Sequence, residues 1–154
     1  MIPTNSLKEM FQKVKRDSHK CFSILLFPYS RNSRVVNELK GVFSNLDTFS
    51  GKNYHIFLPG YSQYTYEEYP DNIAIKGTNY FYSADEFKKV FVELRSKFDK
   101  TLKFRNNIEL LNFTLNDNNS FVLFEKFDLV NESRVTGVEI SDVLFSLLEK
   151  HFVY

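Results

Sequence analysis

The chain has 154 residues, 43% of them apolar and 25% charged, with a formal charge of +1, 17 Phe, 9 Tyr, no Trp and one Cys. This composition excludes long disorder and suits a single domain over residues 1–154. The near-neutral balance excludes a global field drawing the chain to nucleic acid or an anionic membrane, and one cysteine excludes an internal disulfide framework.

Met1-Ile2-Pro3-Thr4-Asn5-Ser6 lacks the apolar core of a secretion signal. No apolar run approaches the roughly 20 residues of a spanning helix, so the expected location is cytoplasmic. From about Ser6 to Asp17, Leu7, Met10, Phe11 and Val14 recur at helical spacing, with Thr4, Asn5 or Ser6 as cap. The opposite face carries Lys8, Lys13, Lys15 and Arg16, which reads as a solvated basic face rather than a phosphate-binding surface.

Cys21-Phe22-Ser23-Ile24-Leu25-Leu26-Phe27 is apolar on both alternating faces, the pattern of a central buried strand. Cys21 then reads as a small buried hydrophobe rather than a reactive thiol. Pro28-Tyr29-Ser30-Arg31-Asn32-Ser33 breaks the strand, and Val35, Val36, Leu39, Val42, Phe43 and Leu46 line one side of a following helix. Gly51 marks a turn, and Tyr54-His55-Ile56-Phe57-Leu58 is a second strand, reached by a parallel crossover.

Pro59-Gly60-Tyr61 ends that strand, and a long loop follows from Ser62 to Asp71, to which Tyr61, Tyr64, Tyr66 and Tyr69 lend flat aromatic surfaces. These rings either stack on a base, a sugar or a protein partner, or pin the loop to the body of the domain. Residues 73–75 and 80–82 form two short strands or one bulged strand. Ser83-Ala84-Asp85-Glu86 matches a capping box at the head of a helix carrying Phe87, Val90, Phe91, Leu94 and Phe98.

The basic stretch from Arg95 to Arg105 reads as a solvated helix end. Residues 108–115 and 121–127 form an antiparallel hairpin, and a last helix carries Ile140, Val143, Leu144, Leu147 and Leu148, with Phe152 extending the stripe. The order predicts a three-layer α/β sandwich with a largely parallel, Rossmann-like sheet and a C-terminal antiparallel hairpin plus helix.

His19, His55 and His151 are far apart in the sequence and form no two-histidine helical motif, so no metal site is expected. No Gly-rich phosphate loop, dinucleotide fingerprint or Gly-x-Ser-x-Gly elbow occurs, and no cofactor is implied. The topology does bring together the ends of adjacent strands. There, Ser30, Ser33, Arg31 and Arg34 would hold phosphate, Tyr29 or Tyr61 would stack on a base, and Glu86 would bind ribose hydroxyls or stabilise positive charge at an anomeric carbon. The plainer reading of Glu86 is completion of its capping box.

Leu26-Phe27-Pro28-Tyr29-Ser30, an arginine-containing helix, and Phe57-Leu58-Pro59-Gly60-Tyr61 together resemble the opening half of nucleoside deoxyribosyltransferase-like and Toll/interleukin-receptor (TIR)-type Rossmannoid domains. The resemblance covers about the first two-thirds of the chain. It implies a glutamate at the start of a later helix acting on the sugar of a nucleoside or NAD, and by position that residue is Glu86.

Two functions follow as expectations. The first is binding of a nucleotide or NAD-like ligand in a strand-end cleft, with N-glycosidic-bond cleavage as its catalytic extension. The second is a non-catalytic interaction module, a subunit or inhibitor in a microbial defence or toxin system, contacting a protein through Tyr61, Tyr64, Tyr66 and Tyr69. Neither reading fixes an oligomeric state.

Overall fold

The computed structural model describes residues 2–4, 6–29, 45–46, 54–62, 73–74, 80–103 and 108–152. Its main sheet has five strands in the order β1-β3-β2-β7-β8. These are β1 (Ile2–Thr4), β2 (Cys21–Leu26), β3 (His55–Pro59), β7 (Glu109–Leu115) and β8 (Phe121–Asp128). Both β1 and β2 pair with β3 in parallel, whereas β2–β7 and β7–β8 are antiparallel. The fold is α/β, with the parallel strands at the start of the chain and the hairpin after them.

Strand β2 occupies the centre of the sheet, as its two-sided apolar run predicts. Phe22, Ile24 and Leu26 face one side, and Ser23 and Leu25 the other. Helix α1 (Leu7–Arg16) covers the first side with α2 (Ala84–Lys97). The Phe11 ring lies 5.8 Å from Phe22 and 5.8 Å from Phe98, and Phe98 meets Phe113 edge-on at 5.1 Å. Phe22 also stacks on Phe113 at 4.9 Å, so this layer is an aromatic core.

Helix α4 (Ile140–Phe152) lies on the second side, where its His151 ring packs against Tyr54 at 5.7 Å. Helices on both faces make three layers. Here the core contains a polar seam. The Ser23 hydroxyl bonds both the Tyr54 hydroxyl and Asn112 Oδ1, and all three residues are fully buried. Ser23 therefore bonds Asn112 on β7 and Tyr54, the residue just before β3, because β2 lies between β3 and β7.

Three features depart from the sequence reading. Ile2–Thr4 is a strand at the sheet edge, the place where Pro3, lacking an amide hydrogen, is tolerated. Tyr61–Ser62 is not loop but strand β4, which joins β6 (Phe81–Tyr82) and β5 (Ile73–Ala74) in a small antiparallel sheet ordered β4-β6-β5. Between the hairpin and α4 stands an additional helix, α3 (Leu129–Thr136), capped by Asp128 and ended by Gly137 at φ 72°. The helix expected after residue 33 lies outside the described residues, apart from residues 45–46, which are helical.

Candidate functional site

Three chain segments meet at the carboxyl ends of the parallel strands. The Gly60 amide donates to Thr4 O at 3.0 Å, and the Ser83 amide donates to Gly60 O at 2.8 Å. Tyr61 Oη donates to Phe27 O at 2.6 Å. The Tyr29 and Tyr82 rings lie 6.2 Å apart. Tyr29, the Gly60 turn and the start of α2 therefore share one rim, as a parallel crossover requires.

At the head of α2, Ser83 Oγ accepts from the Glu86 amide at 3.3 Å, forming half of the expected capping box. The other half is absent. The Ser83 amide is already committed to Gly60 O, and the Glu86 carboxylate instead receives Lys89 Nζ at 3.2 Å. Glu86 is thus a partly exposed carboxylate in the first turn, in the positive end of the helix dipole, with only a solvent-facing lysine as partner among the described residues. Such a group can accept hydrogen bonds from sugar hydroxyls.

Tyr61 has a different position from the one expected. It is 1% exposed, with its ring stacked on Phe27 at 5.8 Å and beside Tyr82 at 5.0 Å. It forms the floor of the rim and offers no open face for stacking. Burial pushes the Tyr61 and Tyr82 hydroxyls well above the ordinary phenol range, so both are neutral hydrogen-bonding groups and not bases. Tyr29 is half-buried at the edge. Ser30, Arg31, Ser33 and Arg34 lie outside the described residues, as do Tyr64, Tyr66 and Tyr69.

A second cluster, unforeseen from the sequence, occupies the opposite rim. His19 and His55 are 36 positions apart in the chain, yet their rings lie 4.4 Å apart. His55 Nε2 donates to Asp17 Oδ2 at 2.7 Å. That bond, more than any other contact, holds the Asp17 carboxyl below its usual range, while desolvation and then the neighbouring His55 push His19 down. The signal was present as Asp17-x-His19 just before β2 and a histidine opening β3. Adjacent parallel strands bring their starts together, so the expectation that these histidines are remote fails once the crossover is formed.

Cys21 opens β2, half-buried, and desolvation raises its thiol above the ordinary range, which argues against a reactive thiolate. In comparisons with family models, curated proteins and solved structures, the chain has no match.

Proposed function

We propose that this protein binds a nucleotide-derived ligand at the strand-end rim, with the sugar facing Glu86 and the phosphates facing the segment from Ser30 to Arg34. The observation that carries the reading is the Glu86 carboxylate, partly exposed and paired only with the solvent-facing Lys89 among the described residues. It stands at the head of α2 on the same rim as Tyr29, while the amide it was expected to cap is served by Gly60. A polar rim beyond the carboxyl ends of parallel strands, lined by a half-buried aromatic and a carboxylate, suits ribose and base together.

In the catalytic form of this reading, water adds across the N-glycosidic bond, the base departs and a ribosyl product remains. Glu86 would stabilise the positive charge that develops at the anomeric carbon.

The test is thermal unfolding of the full chain with NAD, ATP, AMP and free nucleosides. The expected result is stabilisation by at least one of them, since saturation at ~100 times Kd adds about 2.7 kcal/mol. Arg31→Ala and Glu86→Gln should each reduce the stabilisation. Release of free base, lost in Glu86→Gln, marks an enzyme; stabilisation without release marks a ligand sensor. If no nucleotide or nucleoside stabilises the wild type, the reading fails.

A further inference from the structure

Asp17, His19 and His55 form a compact donor set on the rim opposite Glu86. One nitrogen or oxygen from each residue lies within 4.8 Å of the other two. We propose that these three side chains bind a first-row divalent transition-metal ion, with zinc as its probe. The site is independent of the nucleotide reading and sits at the other end of the parallel strands.

Backbone geometry holds the set in place. Helix α1 ends in a tight reversal: the Ser18 amide donates to Lys15 O and the His19 amide to Val14 O, with Ser18 in the left-handed region at φ 59°. This reversal puts Asp17 and His19 on either side of one strained residue. His55 comes from the first position of β3, where its register partner is Phe22 on β2. Two donors thus come from a capped helix end and one from a strand, supports that keep a site from drifting.

The donor chemistry matches the ion. Two imidazoles and one carboxylate favour zinc, iron(II) or nickel(II) over magnesium or calcium, which prefer all-oxygen shells. Bonds of about 2.0–2.1 Å to a tetrahedral ion put its ligand atoms roughly 3.3 Å apart. On binding, the His55 Nε2–Asp17 Oδ2 pair, now 2.7 Å apart, opens slightly and the wider separations, all within 4.8 Å, close, adjustments that the Asp17 side chain, 32% exposed, can supply by rotation.

The polar accounting gives a second indication. His19 and His55 are each only 8% exposed, and His19 Nε2 and His55 Nδ1 are buried without a hydrogen-bond partner among the described residues. A lone pair on His19 Nε2 is what a metal ion would take up. Cationic character is already drawn to the place: Lys13 Nζ lies 3.3 Å from Asp17 Oδ2. On metal binding the ion replaces the proton shared by His55 and Asp17, and the half-exposed Lys13 swings away.

The test uses the full chain, stripped with chelator and then titrated with Zn²⁺ by calorimetry and with Co²⁺ by visible absorption. One equivalent of metal should bind, Zn²⁺ should raise Tm, and Co²⁺ should give ligand-field bands. His19→Gln and His55→Gln should each weaken binding by about tenfold or more, while circular dichroism reports the fold. Lys13→Ala, which removes the competing ammonium, should tighten binding; a purely structural His55–Asp17 pair would show no such gain. If His55→Gln does not fold, His19→Gln alone decides. The proposal is overturned if the stripped wild type takes up no metal, or if His19→Gln binds as tightly as wild type.

Discussion

The Ser83 amide donates to the carbonyl of Gly60 at 2.8 Å, tying the head of α2 to the turn that ends β3. Gly60 makes this approach with φ at 79°, and a Cβ at that position would stand 2.6 Å from Phe87 Cβ and 2.8 Å from Phe87 Cα. Both the conformation and the space require glycine. Gly60→Ala is expected to cost about 2–4 kcal/mol, combining backbone strain with overpacking. Urea unfolding measures it; a loss below about 1 kcal/mol would mean that α2 can shift outward at little cost.

Ser83 and Glu86 separate stability from function. Ser83→Ala removes the N-cap and should cost about 1 kcal/mol. Glu86→Gln breaks an exposed pair with Lys89 and removes a charge from the positive helix end, so its stability should stay within about 1 kcal/mol of wild type. A large loss of stability in Glu86→Gln would reassign the carboxylate to holding the helix.

The buried Ser23 hydroxyl serves Tyr54 and Asn112 at once. Ser23→Ala leaves both partners short of a bond inside the core and should cost about 1–3 kcal/mol. Adding Tyr54→Phe to Ser23→Ala should cost less than Tyr54→Phe alone, because the Ser23–Tyr54 bond is already lost. Additive losses in a double-mutant cycle would show that the two hydroxyls do not interact.

His151 contributes a pH dependence. Its Nε2 meets Phe22 O at 3.3 Å while Nδ1 is buried without a partner among the described residues, and burial holds the ring below its ordinary value of 6.5. The unfolded chain takes up a proton near 6.5 that the folded chain resists. Stability from this residue is therefore complete above that value and is lost as pH falls through it. The urea midpoint should drop between about pH 7.5 and about pH 5.5. The drop should be smaller in His151→Gln; an equal drop in both proteins would assign the dependence to other groups, His19 among them.

Local pattern made much of the architecture legible. The stripe Leu7, Met10, Val14 forms α1, the two-sided run from Cys21 is the central strand, and Ser83 caps α2 as its sequence indicates. Asn116 accepts from the Asn118 and Ser120 amides in the turn of the expected hairpin. Short or weakly patterned elements escaped: three residues containing Pro3, two residues at Tyr61–Ser62, and the mostly exposed α3.

Side-chain periodicity over consecutive residues was enough to determine β2, β3, the β7–β8 hairpin and the helices α1, α2 and α4, and the order of those elements placed Tyr29 and Glu86 on one rim. Tertiary structure alone decided that Tyr61 turns inward to Phe27 and that Asp17, His19 and His55 converge at the other rim. The physical reason is distance along the chain. Burial of a ring and the meeting of strand starts depend on register between segments some 35 residues apart, which no local repeat encodes.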